Sequence, residues 1–206
     1  MTNEEMQKWV TENTELTNYE WVRSRLYMRL LPKTFDPRKM AVRTSADKFG
    51  FDDLVIAPYI RFACDEDDGL LTTGVTPELL KMWGVTKEQV FTEAHANSYI
   101  ESRIEPMSEA LSELSELLGT DITVEEKSPL YVVSNKTRMF GAFAVIAEAS
   151  VLERIFPEGY IVFPSSVHEC IVMSKNNYIP EMNDMVADIN MTMLDANVLS
   201  DKVYEF

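Results

Sequence analysis

Four neighbouring residues have the side-chain types needed for acyl transfer: Ser165, Ser166, His168 and Glu169. In such chemistry a histidine activates the serine nucleophile and a carboxylate orients the histidine. The spacing argues against a local triad, because adjacent residues of a strand point to opposite faces and Glu169 could not orient His168. Neither serine is flanked by the glycines of a nucleophile elbow.

The Pro164-Ser-Ser segment has a simpler interpretation as a turn whose hydroxyl groups bond to nearby backbone groups. His168 would then be a partly buried histidine of a strand. The sequence therefore predicts no catalytic residue. A hydrolase that uses Ser165 or Ser166 with His168 is the alternative.

The cysteines and histidines do not have the spacing of metal ligands. Cys64 and Cys170 lie far apart in the chain, which is typical of two buried thiols in a reducing compartment. The acidic segment 65–69 does not match a calcium-binding loop in any register. None of the 7 glycines belongs to a phosphate-binding glycine motif. We expect no metal site and no cofactor.

Regularly spaced glutamates are the acidic feature with a defined geometry. Steps of four and three residues would place them on one face of a helix. Charges four residues apart lie ~6 Å apart along a helix axis, about half as dense as the phosphates of one DNA strand, which repeat every ~3.4 Å. We predict that this stripe binds a partner, and the simpler interpretation is a solvated helix face. The five residues are Glu101, Glu105, Glu109, Glu113 and Glu116.

The charge distribution indicates which class of partner the protein binds. The net charge is −15, from 19 basic and 34 acidic residues; residues 1–50 hold nine of the basic and seven of the acidic residues. An acidic body repels nucleic acids and membrane surfaces and attracts basic proteins. The sequence has no signal peptide and no run of ~18 apolar residues, so we expect a cytoplasmic protein.

The stretch 130–173 has the densest content of β-branched and aromatic residues and predicts the central strands. The predicted strands are Leu130–Ser134, Met139–Ala147, Tyr160–Phe163 and Val167–Met173, with a short helix near 150–156. Two further strands, one before and one after the acidic segment 65–69, are predicted to pair as a hairpin.

Helices are predicted in most of the remaining chain. Val22, Leu26 and Leu30 recur at every fourth residue and predict a helix that Pro32 ends. Capping patterns begin helices after Thr76 and Thr86. Three further segments complete the prediction: a weak helix that opens near Thr2, a helix with Met107, Leu111, Leu114 and Leu118 on its inner face, and a helix over about 179–192 with Met182, Met185, Val186 and Ile189 inward.

Several stretches together resemble a bacterial family of unknown function, DUF5688. The resemblance covers about residues 20–206 and implies a fold and a cytoplasmic location, but no activity. The family usually carries a further N-terminal segment, which we expect this chain to lack or to have replaced. The stretches that carry the resemblance are Asp53-Leu-Val-Ile, Thr76-Pro-Glu-Leu-Leu-Lys-Met-Trp-Gly-Val-Thr, Tyr131-Val-Val-Ser-Asn-Lys, Phe163-Pro-Ser-Ser-Val-His-Glu and Val198-Leu-Ser-Asp-Lys-Val-Tyr.

The sequence thus predicts an α+β fold, with a mostly antiparallel sheet within 130–173 covered by helices. Residues 1–50 would form a helical, mildly basic arm, and 51–206 an acidic domain that makes one compact unit with it. The expected function is that of a non-enzymatic interaction module that binds a basic protein. In a mobile element, such a module could inhibit a nucleic-acid-binding defence enzyme by mimicking nucleic acid.

Overall fold

A computed structural model describes residues 14–35, 42–62, 71–119, 128–194 and 197–206. Within these ranges the chain forms two antiparallel sheets and several helices. The predicted α+β fold is therefore confirmed. The helix predicted near Thr2 and the acidic segment 65–69 lie outside the described residues.

The first sheet is built around one central strand. Its strands are β1 (Leu26–Pro32), β2 (Thr44–Ser45), β3 (Leu54–Phe62) and β4 (Leu71–Gly74). Strand β3 pairs with the other three, always antiparallel. The predicted hairpin before and after the acidic segment is confirmed, because β3 and β4 pair from Tyr59–Gly74 to Phe62–Leu71.

The helix predicted through Val22, Leu26 and Leu30 is wrong over most of its length. A short helix, α1 (Tyr19–Arg23), is capped by the Asn18 side chain, and the chain then continues as strand β1. A spacing of four residues is also a multiple of the two-residue period of a strand. Leu26 and Leu30 therefore share the buried face of β1, and the predicted helical arm contains a long strand.

Three helices follow the first sheet, and their local signals were predicted correctly. Helix α2 (Pro77–Trp83) begins at the Thr76 cap and ends at Gly84, whose φ of 68° is left-handed. Helix α3 (Lys87–Glu101) begins with the predicted capping box of Thr86 and Gln89. Helix α4 (Met107–Leu118) ends at Gly119. Leu114 on α4 is 41% exposed, so its predicted place in the core is wrong.

The second sheet contains the predicted central strands. Its strands are β5 (Ser102–Pro106), β6 (Leu130–Asn135), β7 (Tyr160–Phe163), β8 (Cys170–Ser174) and β9 (Tyr204–Glu205). They lie in the order β5-β6-β8-β7-β9, and each pair is antiparallel.

The strand predicted over 139–147 is wrong. The segment forms a tight loop that leads into α5 (Ala144–Ala147), and α6 (Ala149–Ile155) follows. Residues 141–146 are all buried, and an apolar run that is buried on every side does not distinguish a strand from a helix. The Asn135 side chain fixes the loop by accepting the Met139 N–H and donating to the Met139 carbonyl.

The end of the described chain packs back onto both sheets. Helix α7 (Met182–Asn190) is shorter than predicted, and Val186 on it is buried as expected. The side chains of Met185 and Ile189 lie outside the described part of the structure. Strand β9 pairs with the edge of β7. The Ser200 hydroxyl donates to Asp53, which directly precedes β3 of the first sheet.

Candidate functional site

The Pro164-Ser-Ser segment forms a turn between β7 and β8. The hydroxyl of buried Ser166 accepts the backbone N–H of His168 at 3.0 Å, and the Ser166 N–H donates to the Glu169 carbonyl at 3.1 Å. Ser166 therefore stabilises the turn. Ser165 is only partly buried and lies on the wall of an apolar groove.

His168 uses a ring nitrogen to hold the backbone. Its Nδ1 accepts the N–H of Phe140 at 3.1 Å, and the two rings lie 5.0 Å apart. A backbone N–H can only donate, so Nδ1 carries no proton and the neutral ring has its proton on Nε2. In this arrangement His168 has no free nitrogen to act as the base for either serine. Burial raises the pKa of the neighbouring Glu169 carboxyl.

The five glutamates do not lie on one helix. Helix α3 ends at Glu101, and Ser102–Pro106 then forms strand β5, which pairs with β6 along its whole length. Only Glu109, Glu113 and Glu116 lie on α4. The predicted single stripe is therefore wrong, because pairing with a distant strand interrupts the helical pattern.

Two of these glutamates form ion pairs with two arginines. Glu105, on β5, is only 4% exposed; its carboxylate lies 2.7 Å from Arg103 and 2.6 Å from Arg138. Glu113 meets the same arginines from α4, at 2.9 Å and 2.5 Å. The hydrogen bond from Arg138 lowers the pKa of Glu113. We call these four residues the Arg138 cluster.

Glu101 is also engaged within the protein. Its carboxylate accepts the Tyr27 hydroxyl at 2.7 Å and forms an ion pair with Arg61 at 2.6 Å. The Arg61 guanidinium lies 3.5 Å from the centroid of the Tyr27 ring. Burial, followed by the bond to Glu101, raises the pKa of Tyr27 to about 12. These contacts join α3 to the first sheet, so Glu101 has a structural role.

An apolar groove of about 280 Å³ lies between the second sheet and helices α4 and α7. The antiparallel register brings Leu130 beside Met173 and Phe163 beside Ile171 on one face of the sheet. Met107 closes the groove on the α4 side and Met182 on the α7 side. The complete lining is Met107, Leu130, Phe163, Ser165, Ile171, Met173, Met182, Val186 and Asn190.

Arg29 forms the centre of a second cluster, on the first sheet. Its guanidinium lies 4.1 Å from the centroid of the Tyr59 ring and 3.4 Å from that of Phe140, and it donates to the Thr72 hydroxyl. Burial lowers the pKa of Arg29 to about 10. We call Arg29, Tyr59, Thr72 and Phe140 the Arg29 cluster.

The loop 135–141 supplies one side chain to each cluster. Arg138 and Phe140 both have positive φ, at 52° and 56°, a backbone region that bulky residues rarely adopt. Gly141 allows this path, because a Cβ there would lie 2.5 Å from the Asn135 nitrogen. The sequence gives no direct sign of this geometry; a glycine after two bulky residues is the only local hint.

The described ranges contain neither a cluster of metal ligands nor a membrane-crossing helix. No group of three His, Cys, Asp or Glu side chains there could hold a metal ion. No helix found there is both long enough and apolar enough to cross a membrane.

Comparison with known protein families matches residues 1–206 to a family described as a family of unknown function, DUF5688. The chain belongs to DUF5688. The match begins at residue 1, whereas the resemblance seen in the sequence covers about residues 20–206. No curated protein and no solved structure matches the chain.

Two of the DUF5688 stretches meet in space around Phe140. The stretch that begins at Tyr131 forms β6 and enters the loop 135–141. The stretch that begins at Phe163 carries Ser166 and His168, and His168 holds the Phe140 N–H. The start of the loop is thus continuous with β6, and its end is held by His168, which lies 28 residues further along the chain.

Proposed function

We propose that this DUF5688 protein is a non-enzymatic interaction module of the cytoplasm that binds a cationic, amphipathic segment of a protein partner. The apolar groove between α4 and α7 carries the proposal. The groove would receive the apolar side of the segment, and the acidic charge around it would attract the basic side. This is the helix-in-groove mode of peptide recognition.

The lining of the groove favours an apolar occupant. Side chains of the second sheet form its floor, and only Ser165 and Asn190 add polar groups to the lining. Further apolar side chains are exposed on the flanking elements: Leu114 on α4 and Ile179 just before α7 are 41% and 52% exposed. Covering such surface is favourable because it removes apolar groups from water.

The charge of the two flanking helices favours a basic occupant. The segments 107–118 and 181–190 carry six acidic residues and no basic residue. Glu113 is neutralised by Arg103 and Arg138, but within the described residues none of the other five carboxylates forms an ion pair. Their field would speed the approach of a cationic segment and disfavour an acidic one.

The nucleic-acid mimicry suggested by the glutamate stripe does not enter this proposal, because the stripe is broken by β5. The hydrolase alternative does not enter it either. Ser166 and His168 each bind backbone groups, and these bonds do not join the two side chains as nucleophile and base.

The proposal is tested with three synthetic peptides of equal length, labelled for fluorescence anisotropy. One is an amphipathic Leu/Lys helix, the second replaces each Lys by Glu, and the third has the first composition in an order without an apolar face. We expect only the first to bind, and to bind more weakly as salt rises. Equal binding of the first and third peptides would reduce the effect to charge alone and contradict the proposal.

A pair of variants tests whether the Leu/Lys peptide binds in the apolar groove. Met182→Glu places a carboxylate in the groove, whereas Leu194→Glu makes the same change at a side chain that is 75% exposed and is not part of the lining. We expect the first change to weaken binding of the Leu/Lys peptide at least about tenfold, as burial of an unpaired charge would. The second should leave the affinity nearly unchanged. Equal effects would show that the peptide binds elsewhere.

A further inference from the structure

Among the described residues, two aromatic rings and a hydroxyl group contact the Arg29 guanidinium, and no carboxylate does. The ring centroids of Tyr59 and Phe140 lie 4.1 Å and 3.4 Å from its central carbon, and the Thr72 hydroxyl accepts one of its N–H groups. Aromatic faces attract a cation, but they do not satisfy its in-plane N–H donors. Arg29 therefore has donors available for a further acceptor.

Four other arginines of the described structure are neutralised by carboxylates. Arg23, Arg61, Arg103 and Arg138 each lie within 2.5–3.2 Å of at least one glutamate oxygen. For Arg29, by contrast, the described residues provide no carboxylate at ion-pair distance. A guanidinium that is largely removed from water and unpaired is unfavourable unless an anion compensates it.

The surroundings of Arg29 supply donors for such an anion. The register of the first sheet places Thr72 opposite Arg61, and Arg29 reaches across Tyr59 to the same threonine. Burial is the main cause of the lowered pKa of Arg29, and the positive charge of nearby Arg61 lowers it further. One guanidinium nitrogen of Arg61 donates a hydrogen bond to the Glu101 carboxylate. The two guanidinium groups and the single carboxylate leave a net positive charge at this point of an acidic protein.

The backbone geometry favours a functional role for this cluster. Phe140, whose ring contacts Arg29, has a backbone of positive φ, and His168 holds this backbone by accepting the Phe140 N–H. Strained backbone of this kind is concentrated at binding and catalytic sites. The loop thus orders the guanidinium before any ligand arrives, which reduces the entropy lost on binding.

We propose that the Arg29 cluster, with Arg61, is a binding site for a phosphate group. Arginine forks match the oxygens of a phosphate, and the hydroxyl groups of Tyr59 and Thr72 can donate to the same oxygens. The proposal does not depend on the apolar groove, which lies on the other sheet.

Inorganic phosphate is the first probe. The intact protein is titrated with sodium phosphate while sodium chloride is lowered to hold the ionic strength constant, and the melting temperature and the heat of binding are recorded. We expect a saturable rise in melting temperature, a smaller rise with sulfate and none with acetate. If a carboxylate of the protein already neutralises Arg29, phosphate will act no differently from chloride, and the proposal is overturned.

Two matched variants locate the effect. Arg29→Met keeps an apolar stem and removes the fork, and we expect it to weaken phosphate binding about tenfold to a hundredfold, as loss of a charged hydrogen bond does. Arg25→Met is the control, because Arg25 directly precedes β1 and stacks on Trp21 at 4.0 Å, away from the Arg29 cluster. If both variants bind phosphate equally well, the site is not at Arg29.

A third variant keeps the test decisive if Arg29→Met fails to fold. Thr72→Val preserves the shape of the side chain and removes the hydroxyl that Arg29 contacts. We expect phosphate affinity to fall several-fold while the melting temperature in chloride changes little. An unchanged affinity in Thr72→Val, together with an unfolded Arg29→Met, would contradict the proposed position of the phosphate.

Discussion

Arg138 and Arg29 show two ways of holding an arginine against the same loop. Arg138 belongs to the loop 135–141 and contacts the carboxylates of Glu105 and Glu113. Arg29 comes from β1 and meets the loop through the ring of Phe140. One guanidinium is neutralised by charge, whereas the other is positioned by aromatic rings and a hydroxyl group.

This difference indicates that one arginine stabilises the fold, whereas the other is available to bind a ligand. The two carboxylates of the Arg138 cluster balance its two guanidinium groups and leave no net charge for a ligand, and removing the buried Glu105 leaves both arginines with only the exposed Glu113. Aromatic rings hold a cation without neutralising it. We therefore infer that the Arg138 cluster serves the fold, while the Arg29 cluster keeps its charge for an anion.

The largest expected effect comes from Glu105→Ala. This change leaves Arg103 and Arg138 facing each other beside a buried position, and we expect the free energy of unfolding to fall by about 3–5 kcal/mol. Glu113→Ala is the control, because Glu113 lies at the surface and exposed ion pairs contribute roughly 0–1 kcal/mol. Denaturant titration measures both, and equal losses would show that burial of Glu105 is not decisive.

Gly141→Ala should have the next largest effect, and it should disturb both clusters. The added Cβ would lie 2.5 Å from both the Asn135 nitrogen and the Ser134 hydroxyl. Overpacking of this kind costs about 1–3 kcal/mol. The same variant should also weaken phosphate binding, because the loop carries Phe140. A variant of unchanged stability would mean that the loop can shift without cost.

Arg29→Met should change stability much less in chloride buffer. The variant loses the attraction of two rings but no longer buries an unpaired charge, so we expect a change within about 1 kcal/mol in either direction. Arg138→Met is the comparison, and it should cost about 3 kcal/mol because Glu105 loses a partner. If Arg29→Met is the more damaging change in denaturant unfolding, the assignment of roles is reversed.

The smallest effect concerns pH and Glu169, which lies near Arg138. Burial raises the pKa of this carboxyl, and the Glu105 charge adds to the rise. The folded state therefore binds a proton more readily than the unfolded state, so this carboxyl destabilises the fold at neutral pH and ceases to do so as pH falls through its raised pKa. Glu169→Gln should be more stable than the wild type at pH 7, with the difference shrinking towards pH 4 in thermal melts.

Signals that act within a few residues could be predicted from the sequence. Thr76 with Pro77, and Thr86 with Gln89, begin helices as expected, since a cap involves only neighbouring backbone groups. The central strands β6, β7 and β8 were also predicted, because a run rich in β-branched residues favours a strand wherever it pairs.

Features that depend on distant partners could not be predicted. The spacing of Glu101 and Glu105 fits a helix, but residues 102–106 extend because β6 pairs with them. The spacing of Leu26 and Leu30 fits a helix and a strand equally well. The Arg29 cluster draws its members from β1, β3, β4 and the loop 135–141, so no local pattern could reveal it.

The last ten residues have a consequence for how the chain folds. Tyr204 and Ser200 both donate to Asp53, across 151 and 147 residues, and Tyr204 also pairs with β7. These residues follow the other described elements along the chain, so their contacts with Asp53 and β7 can form only after those elements have been synthesised. Closing so long a loop is slow compared with forming a local helix. We therefore expect the clasp to form late, with the edge of β7 open to other chains until then.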